Sequence, residues 1–162
     1  MPSSTELIKE LRDKTGAGIM ECKKAIEDAL GDLGKAELLI KERGLAMAEK
    51  KAGREAGQGL IESYVHAGRI GALIELNCET DFVARTDDFK TLAREIAMQV
   101  AATNPGRVSG QEASADGDVP LLDQPYIRDP GKTIQDLVNE TIAKVRENIV
   151  IRRFARFELG GL

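Results

Sequence analysis

The sequence predicts an α+β protein: a unit of three short helices, followed by a small antiparallel sheet with helices packed on one side. Three observations carry that prediction. Apolar residues recur at helical spacing through residues 1–44, in runs separated by glycines. The period falls to two at residues 59–77 and again at 149–158. Two amphipathic helical patterns, 87–103 and 134–147, lie between those strand-like stretches. The expected organisation is therefore a helical unit at 1–44, a connecting helix at 45–58 and an α+β core at 59–162.

The helical unit opens on Ser3-Ser4-Thr5-Glu6, which has the spacing of a capping box with Ser3 at the N-cap. The first helix runs to about Asp13 and turns Leu7, Ile8 and Leu11 inward. Thr15-Gly16-Ala17-Gly18 breaks it. A second helix covers about 19–30, with Ile19, Cys22, Ile26, Ala29 and Leu30 on one side. Gly31 ends it, and Asp32 caps a third helix that carries Ala36, Leu39 and Ile40 inward. Gly44 is expected to close that helix as its C′ residue. Residues 45–56 have helix-forming composition, and Lys50, Lys51 and Arg54 give them a basic, solvated face. Gly16-Ala17-Gly18 is not a dinucleotide fingerprint, because a helix precedes it and Glu21 stands where the third glycine is needed. Met20 beside it has two readings, a core residue or an adaptable contact at a turn.

In the core, residues 60–66 and 70–76 read as two strands around Ala67-Gly68-Arg69. Ile70, Ala72, Ile74 and Leu76 share one face of the second. Thr86 or Asp87 caps the next helix, whose stripe is Phe89, Leu92, Ala93, Ile96, Ala97 and Val100. Asn104-Pro105-Gly106 stops it. Residues 104–132 are rich in glycine and proline and are expected to be loop with at most short strand pieces. Thr133 caps the last helix, with Ile134, Leu137, Val138, Ile142 and Val145 inward. Simple alternation along 149–158 puts Ile149, Ile151, Ala155 and Phe157 on one face with Arg153. Val150, Phe154, Arg152, Arg156 and Glu158 fall on the other. Tyr64, Leu73, Val150 and Phe154 then make the second sheet face more apolar than a water-facing surface needs to be. Two copies of the chain are expected to pack there, sheet to sheet.

Composition narrows the function classes. The chain has 162 residues, 42% of them hydrophobic, with only 4% aromatic and no Trp, so its core is aliphatic. A net charge of −4 argues against a nucleic-acid backbone as the main partner, since counterion release needs a basic surface. Cys22 and Cys78 are too few and too far apart for a disulfide scaffold or a paired-cysteine metal or redox site. The first residues lack a basic segment followed by an apolar run, and no apolar stretch reaches the roughly 20 residues of a membrane span. The expectation is a cytoplasmic protein with no membrane association, no metal and no cofactor. His66 and Cys78 cannot act as a base–nucleophile pair. They lie at opposite ends of a strand that rises ~3.3 Å per residue.

The stretch Asn77-Cys78-Glu79-Thr80-Asp81-Phe82-Val83-Ala84-Arg85 falls where an apolar strand stops and an amphipathic helix begins. It reads as a strand-to-helix turn at an edge of the fold. Phe82 has two readings. It folds back into the core while Asp81 braces the next helix, or the pair projects as a wedge for a partner's pocket.

Thr80-Asp81-Phe82-Val83-Ala84-Arg85, preceded by Leu76-Asn77-Cys78-Glu79, resembles the signature of the elongation factor Ts family. Leu11-Arg12-Asp13-Lys14-Thr15-Gly16-Ala17-Gly18-Ile19-Met20-Glu21-Cys22-Lys23-Lys24-Ala25 resembles that family's N-terminal hallmark. Glu147-Asn148-Ile149-Val150-Ile151-Arg152-Arg153-Phe154 matches its C-terminal run. The resemblance implies an exchange factor with no chemical step of its own. It would bind elongation factor Tu·GDP, disturb the Mg²⁺ site and promote GDP release so that GTP can bind. It further implies that Thr80, Asp81, Phe82 and Val83 intrude beside the partner's Mg²⁺, with Arg12 and Met20 as further partner contacts and Arg85 bracing the loop or a helix end. The helical unit would be a ubiquitin-associated-type bundle. Short members of the family act as dimers, in line with the apolar sheet face. Family members often carry a long helical insertion within 107–131 that this chain has dispensed with. The alternative is a ubiquitin-associated-type adaptor without exchange activity, which leaves Thr80-Asp81-Phe82 without a task.

Overall fold

The computed structural model describes residues 2–111 and 117–161. Positions 112–116, inside the expected 104–132 loop, lie outside the described residues. The chain forms α1 (Ser4–Thr15), α2 (Ile19–Asp28), α3 (Leu33–Lys51), β1 (Gln58–His66), β2 (Ile70–Cys78), α4 (Asp81–Ala84) and α5 (Asp87–Thr103). It continues through β3 (Pro125–Tyr126), β4 (Asp129–Thr133), α6 (Ile134–Val145) and β5 (Ile149–Glu158). The α+β class is as expected: a helical region, then a small antiparallel sheet with helices.

The capping box at the start of α1 is formed. The Glu6 N–H donates to Ser3 Oγ at 3.3 Å, and the Ser3 N–H donates to the Glu6 carboxylate at 2.7 Å. Gly16, at φ 70°, ends the helix by donating its N–H to the Arg12 carbonyl. Leu11, Cys22, Ala25, Ile26, Ala29 and Ala36 form a first apolar cluster. Two residues expected inside it are not. After α2 the backbone turns left-handed at Leu30 (φ 53°) and Gly31 (φ 84°), which throws the Leu30 side chain into solvent, 95% exposed. Ile19, in the first turn of α2, is exposed as well.

Gly44 does not close α3. The helix runs unbroken for 19 residues to Lys51, and the stretch from residue 45 is its continuation rather than a separate helix. The reason is tertiary. Gly44 is buried where α3 crosses α6, and a Cβ at that point would stand 3.7 Å from Ala143 Cβ and 3.9 Å from the Asn139 carbonyl oxygen. Leu39 and Ile40 before it pack on the first cluster, and Met47 and Ala48 after it pack on the main core. That burial on both sides outweighs the ~1 kcal/mol that a mid-helix glycine costs.

The sheet order is β1-β2-β5, antiparallel throughout. α5 lies along its inner face, and Phe89, Leu92, Ala93, Ile96, Ala97 and Val100 are all buried there. Two expectations about the sheet faces are corrected. Tyr64 pairs with Ala72, and directly opposed residues share a face, so the ring packs inward against the main core. In β5 a bulge breaks the alternation. Glu75 opposes Arg153 and Leu76 opposes Ile151, which leaves Arg152 unpaired. Beyond it the faces swap. Phe154 turns onto the core, and Arg156 reaches the Ala101 carbonyl of α5 at 3.0 Å. Ala155 and Phe157 turn outward, together with Arg153. The outer face still exposes apolar groups, namely Ile61, Val65, Leu73, Val150 and Phe157.

The segment before α6 is more ordered than a plain loop. β3 and β4 form a two-stranded ladder, pinned to α5 by the fully buried Gln99. Its amide donates to Gln124 and to the Pro125 carbonyl, both at 3.1 Å, and its oxygen accepts from the Ile127 N–H at 3.0 Å.

Candidate protein-docking site

β2 delivers the turn. Its last residue, Cys78, is buried, and its thiol donates to the Thr80 carbonyl at 3.1 Å. Thr80 is extended (φ −125°, ψ 154°) and caps α4, its hydroxyl accepting from the Val83 N–H at 3.3 Å. Thr86 repeats the device for α5. Its hydroxyl accepts from the Phe89 N–H and donates to the Val83 carbonyl at 2.7 Å. Two threonine caps six residues apart thus start α4 and α5 as separate helices, with Ala84 buried in the main core and Val83 packed against it.

That geometry settles where Phe82 points. It is 76% exposed, so the reading in which it folds into the core is wrong. Asp81 beside it is exposed and pairs with Arg85 at 3.1 Å, one helical turn on. Arg85 therefore braces the turn.

The mount beneath comes from residues far away in the chain. Both oxygens of the Glu147 carboxylate, at the α6–β5 junction, face the turn. One accepts from the Glu79 and Thr80 N–H groups at 3.2 and 2.9 Å, and the other accepts from the Thr80 hydroxyl at 2.7 Å. The arrangement is reciprocal, since Glu79 accepts from the Asn148 N–H at 2.8 Å. Asn148 is buried and donates its amide to the Arg54 carbonyl at 2.8 Å, and Arg54 sits 3.6 Å from Glu79. Burial first, and then the Glu147 charge, push the Cys78 thiol up to about 11. Cys78 is thus a neutral hydrogen-bond donor at physiological pH, and it stands opposite Gln58, at the other end of the hairpin from His66.

Arg12 is exposed on the last turn of α1, and Met20 is 73% exposed in the first turn of α2. Both sit on the helical unit, on elements separate from α4. Of the two readings of Met20, the core one does not hold. Met20 lines a groove with Met47, Lys50 and Arg146, and Arg146 immediately precedes Glu147. Glu79, Glu147, Asn148 and Arg54 were not legible as supports, because their contacts cross some seventy to ninety residues and follow no local spacing.

The turn thus presents an exposed aromatic beside an exposed carboxylate on a base that hydrogen bonds hold from below. Known proteins with similar sequences identify the family. The family model described as Elongation factor TS matches residues 45–117 and 79–161. Elongation factor Ts of Coprothermobacter proteolyticus is 49% identical over 196 aligned positions, covering 99% of this chain and 100% of that protein. Elongation factor Ts of Thermoanaerobacter sp. (strain X514) is 48% identical over 193 positions, covering 97% and 95%. The chain belongs to the elongation factor Ts family, the nucleotide exchange factors of elongation factor Tu, which carry out no chemical step of their own. Both alignments are longer than the 162-residue chain, so those relatives contain positions that it lacks. No helix among the described residues is long and apolar enough to cross a membrane.

Proposed function

We propose that this chain binds elongation factor Tu·GDP in the cytoplasm and releases GDP by driving Phe82 and Asp81 into the surroundings of the partner's Mg²⁺. The observation that carries this is the presentation of Phe82: a large apolar ring left in water on a turn that three hydrogen bonds hold from below. A GTPase grips GDP partly through a metal bridging phosphate oxygens and protein ligands. A wedge that parts those elements weakens the grip, and by linkage the nucleotide weakens the factor's binding by the same ratio. A thousandfold faster release needs about 4 kcal/mol. One buried aromatic and one placed carboxylate are of that order. Thr80 and Val83 shape and seal the loop, while Arg12 and Met20 extend the contact from the helical unit.

The test is release of labelled GDP from elongation factor Tu, with and without the chain. Acceleration is expected, falling about a hundredfold in Phe82→Ala and about tenfold in Asp81→Ala. Binding without acceleration would favour the adaptor reading and reject this one.

The outer sheet face supports a homodimer, with Ile61, Val65, Leu73, Val150 and Phe157 as the apolar contact. A monomeric mass by light scattering at micromolar concentration would overturn it.

A further inference from the structure

We propose that Glu147 is a positioning residue for nucleotide exchange, acting through Thr80 on the orientation of Phe82. The proposal rests on the reading of Thr80–Val83 as the exchange element. α4 has four residues, too few to hold a helical turn by its own hydrogen bonds against the cost of nucleation. Something outside it must fix its direction. Its N-terminal boundary is Thr80, and Thr80 is the residue whose backbone N–H and hydroxyl both end on one carboxylate. The Thr80 hydroxyl donates to Glu147 while accepting from the Val83 N–H, so the bond to Glu147 also sets which lone pairs face α4. Glu147 itself is not free to turn. The reciprocal bond from the Asn148 N–H to Glu79 locks the two segments against each other. Glu147 makes no contact with a partner in this scheme. It fixes the base from which Phe82 and Asp81 project, and a wedge that must push on another protein loses force if its base rocks.

GDP release from elongation factor Tu is measured against increasing factor for the full-length wild type, Glu147→Ala, Glu147→Gln, Phe82→Ala and the Glu147→Ala/Phe82→Ala pair. In Glu147→Ala the saturating rate falls about tenfold, and the half-saturating concentration moves by less than about threefold. Glu147→Gln recovers part of the rate, because its amide oxygen still accepts from the Glu79 and Thr80 N–H groups. Once Phe82 is gone, Glu147→Ala costs only about threefold more, the part that acts through Asp81, well short of its tenfold cost in wild type. A wild-type saturating rate in Glu147→Ala overturns the proposal, and so does a full tenfold loss on top of Phe82→Ala. If circular dichroism shows Glu147→Ala unfolded, the same cycle with Glu147→Gln decides the matter. A Phe82→Ala variant at full rate defeats the reading of the loop instead, and the proposal with it.

Discussion

Two phenylalanines stand in water to nearly the same degree, Phe82 at 76% and Phe157 at 79%, and they are mounted in opposite ways. Phe157 lies on β5, opposite Gly71, in a regular backbone ladder with β2. Its neighbours across that face, Val65 and Leu73, are apolar and exposed too. Phe82 is a single ring flanked by the charged pair Asp81–Arg85, on a turn set by side-chain bonds. A broad apolar face on regular strands can meet a flat surface such as its own copy. A lone ring among charges needs a pocket. Exposure alone does not separate these uses, but the neighbours and the mount do.

The largest effect that would break this contrast lies under the turn. Gly59, at φ 147°, opposes Asn77 in the ladder that leads to it. A Cβ there would fall 2.1 Å from the Leu76 carbonyl oxygen, and only glycine adopts that backbone without strain. Gly59→Ala is expected to cost more than about 3 kcal/mol and to lower the thermal midpoint by about 6–12 °C. A midpoint within 2 °C of wild type, about the effect of 1 kcal/mol at most, would show that β1 slides without disturbing β2. Next in size is the outer face. Leu73→Glu places a charge at its centre and is expected to give a monomeric mass in light scattering where wild type gives the proposed dimer, while Phe82→Ala leaves the wild-type mass unchanged. Should Phe82→Ala alter the mass, the two surfaces are one and the contrast fails.

The chain's elements were legible where local rules act. The caps at Ser3, Asp32, Thr86 and Thr133 and the buried stripe of α5 follow from spacing that the chain carries locally. Expectations failed where a distant segment decides. Gly44 has the composition of a helix end, yet α6 makes it a crossing point. The faces of β5 obey alternation only up to Arg152, because the bulge depends on pairing with β2 rather than on the residues of β5. At the site, the motif marks Thr80, Asp81, Phe82 and Val83 as the partner-facing loop that the resemblance implies, but leaves open whether Phe82 points in or out. The Glu147 clamp that goes with the outward answer is a contact between segments nearly seventy residues apart.

The smallest expected effect probes the mount from inside. Cys78 lies beneath the turn, and burial raises its thiol from an ordinary 9.0 to about 11, with Glu147 adding to the rise. A raised value means that the folded state holds the proton more tightly than the unfolded chain does. The thiol's contribution to stability is therefore complete below pH 9 and drains away as pH climbs toward about 11. Tyr126, pushed up to about 12 by burial and then by its bond to Glu95, loses stability over an overlapping range. That loss is common to wild type and a Cys78→Ala variant, so it cancels in their difference. The thermal-midpoint advantage of wild type over Cys78→Ala should hold steady from pH 6 to 8.5 and shrink between 9 and 11. A constant advantage through pH 11 would mean that the thiol does not sense its burial beneath the turn. The packing around the thiol would then be looser than its burial implies, and the contrast between the two phenylalanines would rest on the Glu147 hydrogen bonds and on their neighbours.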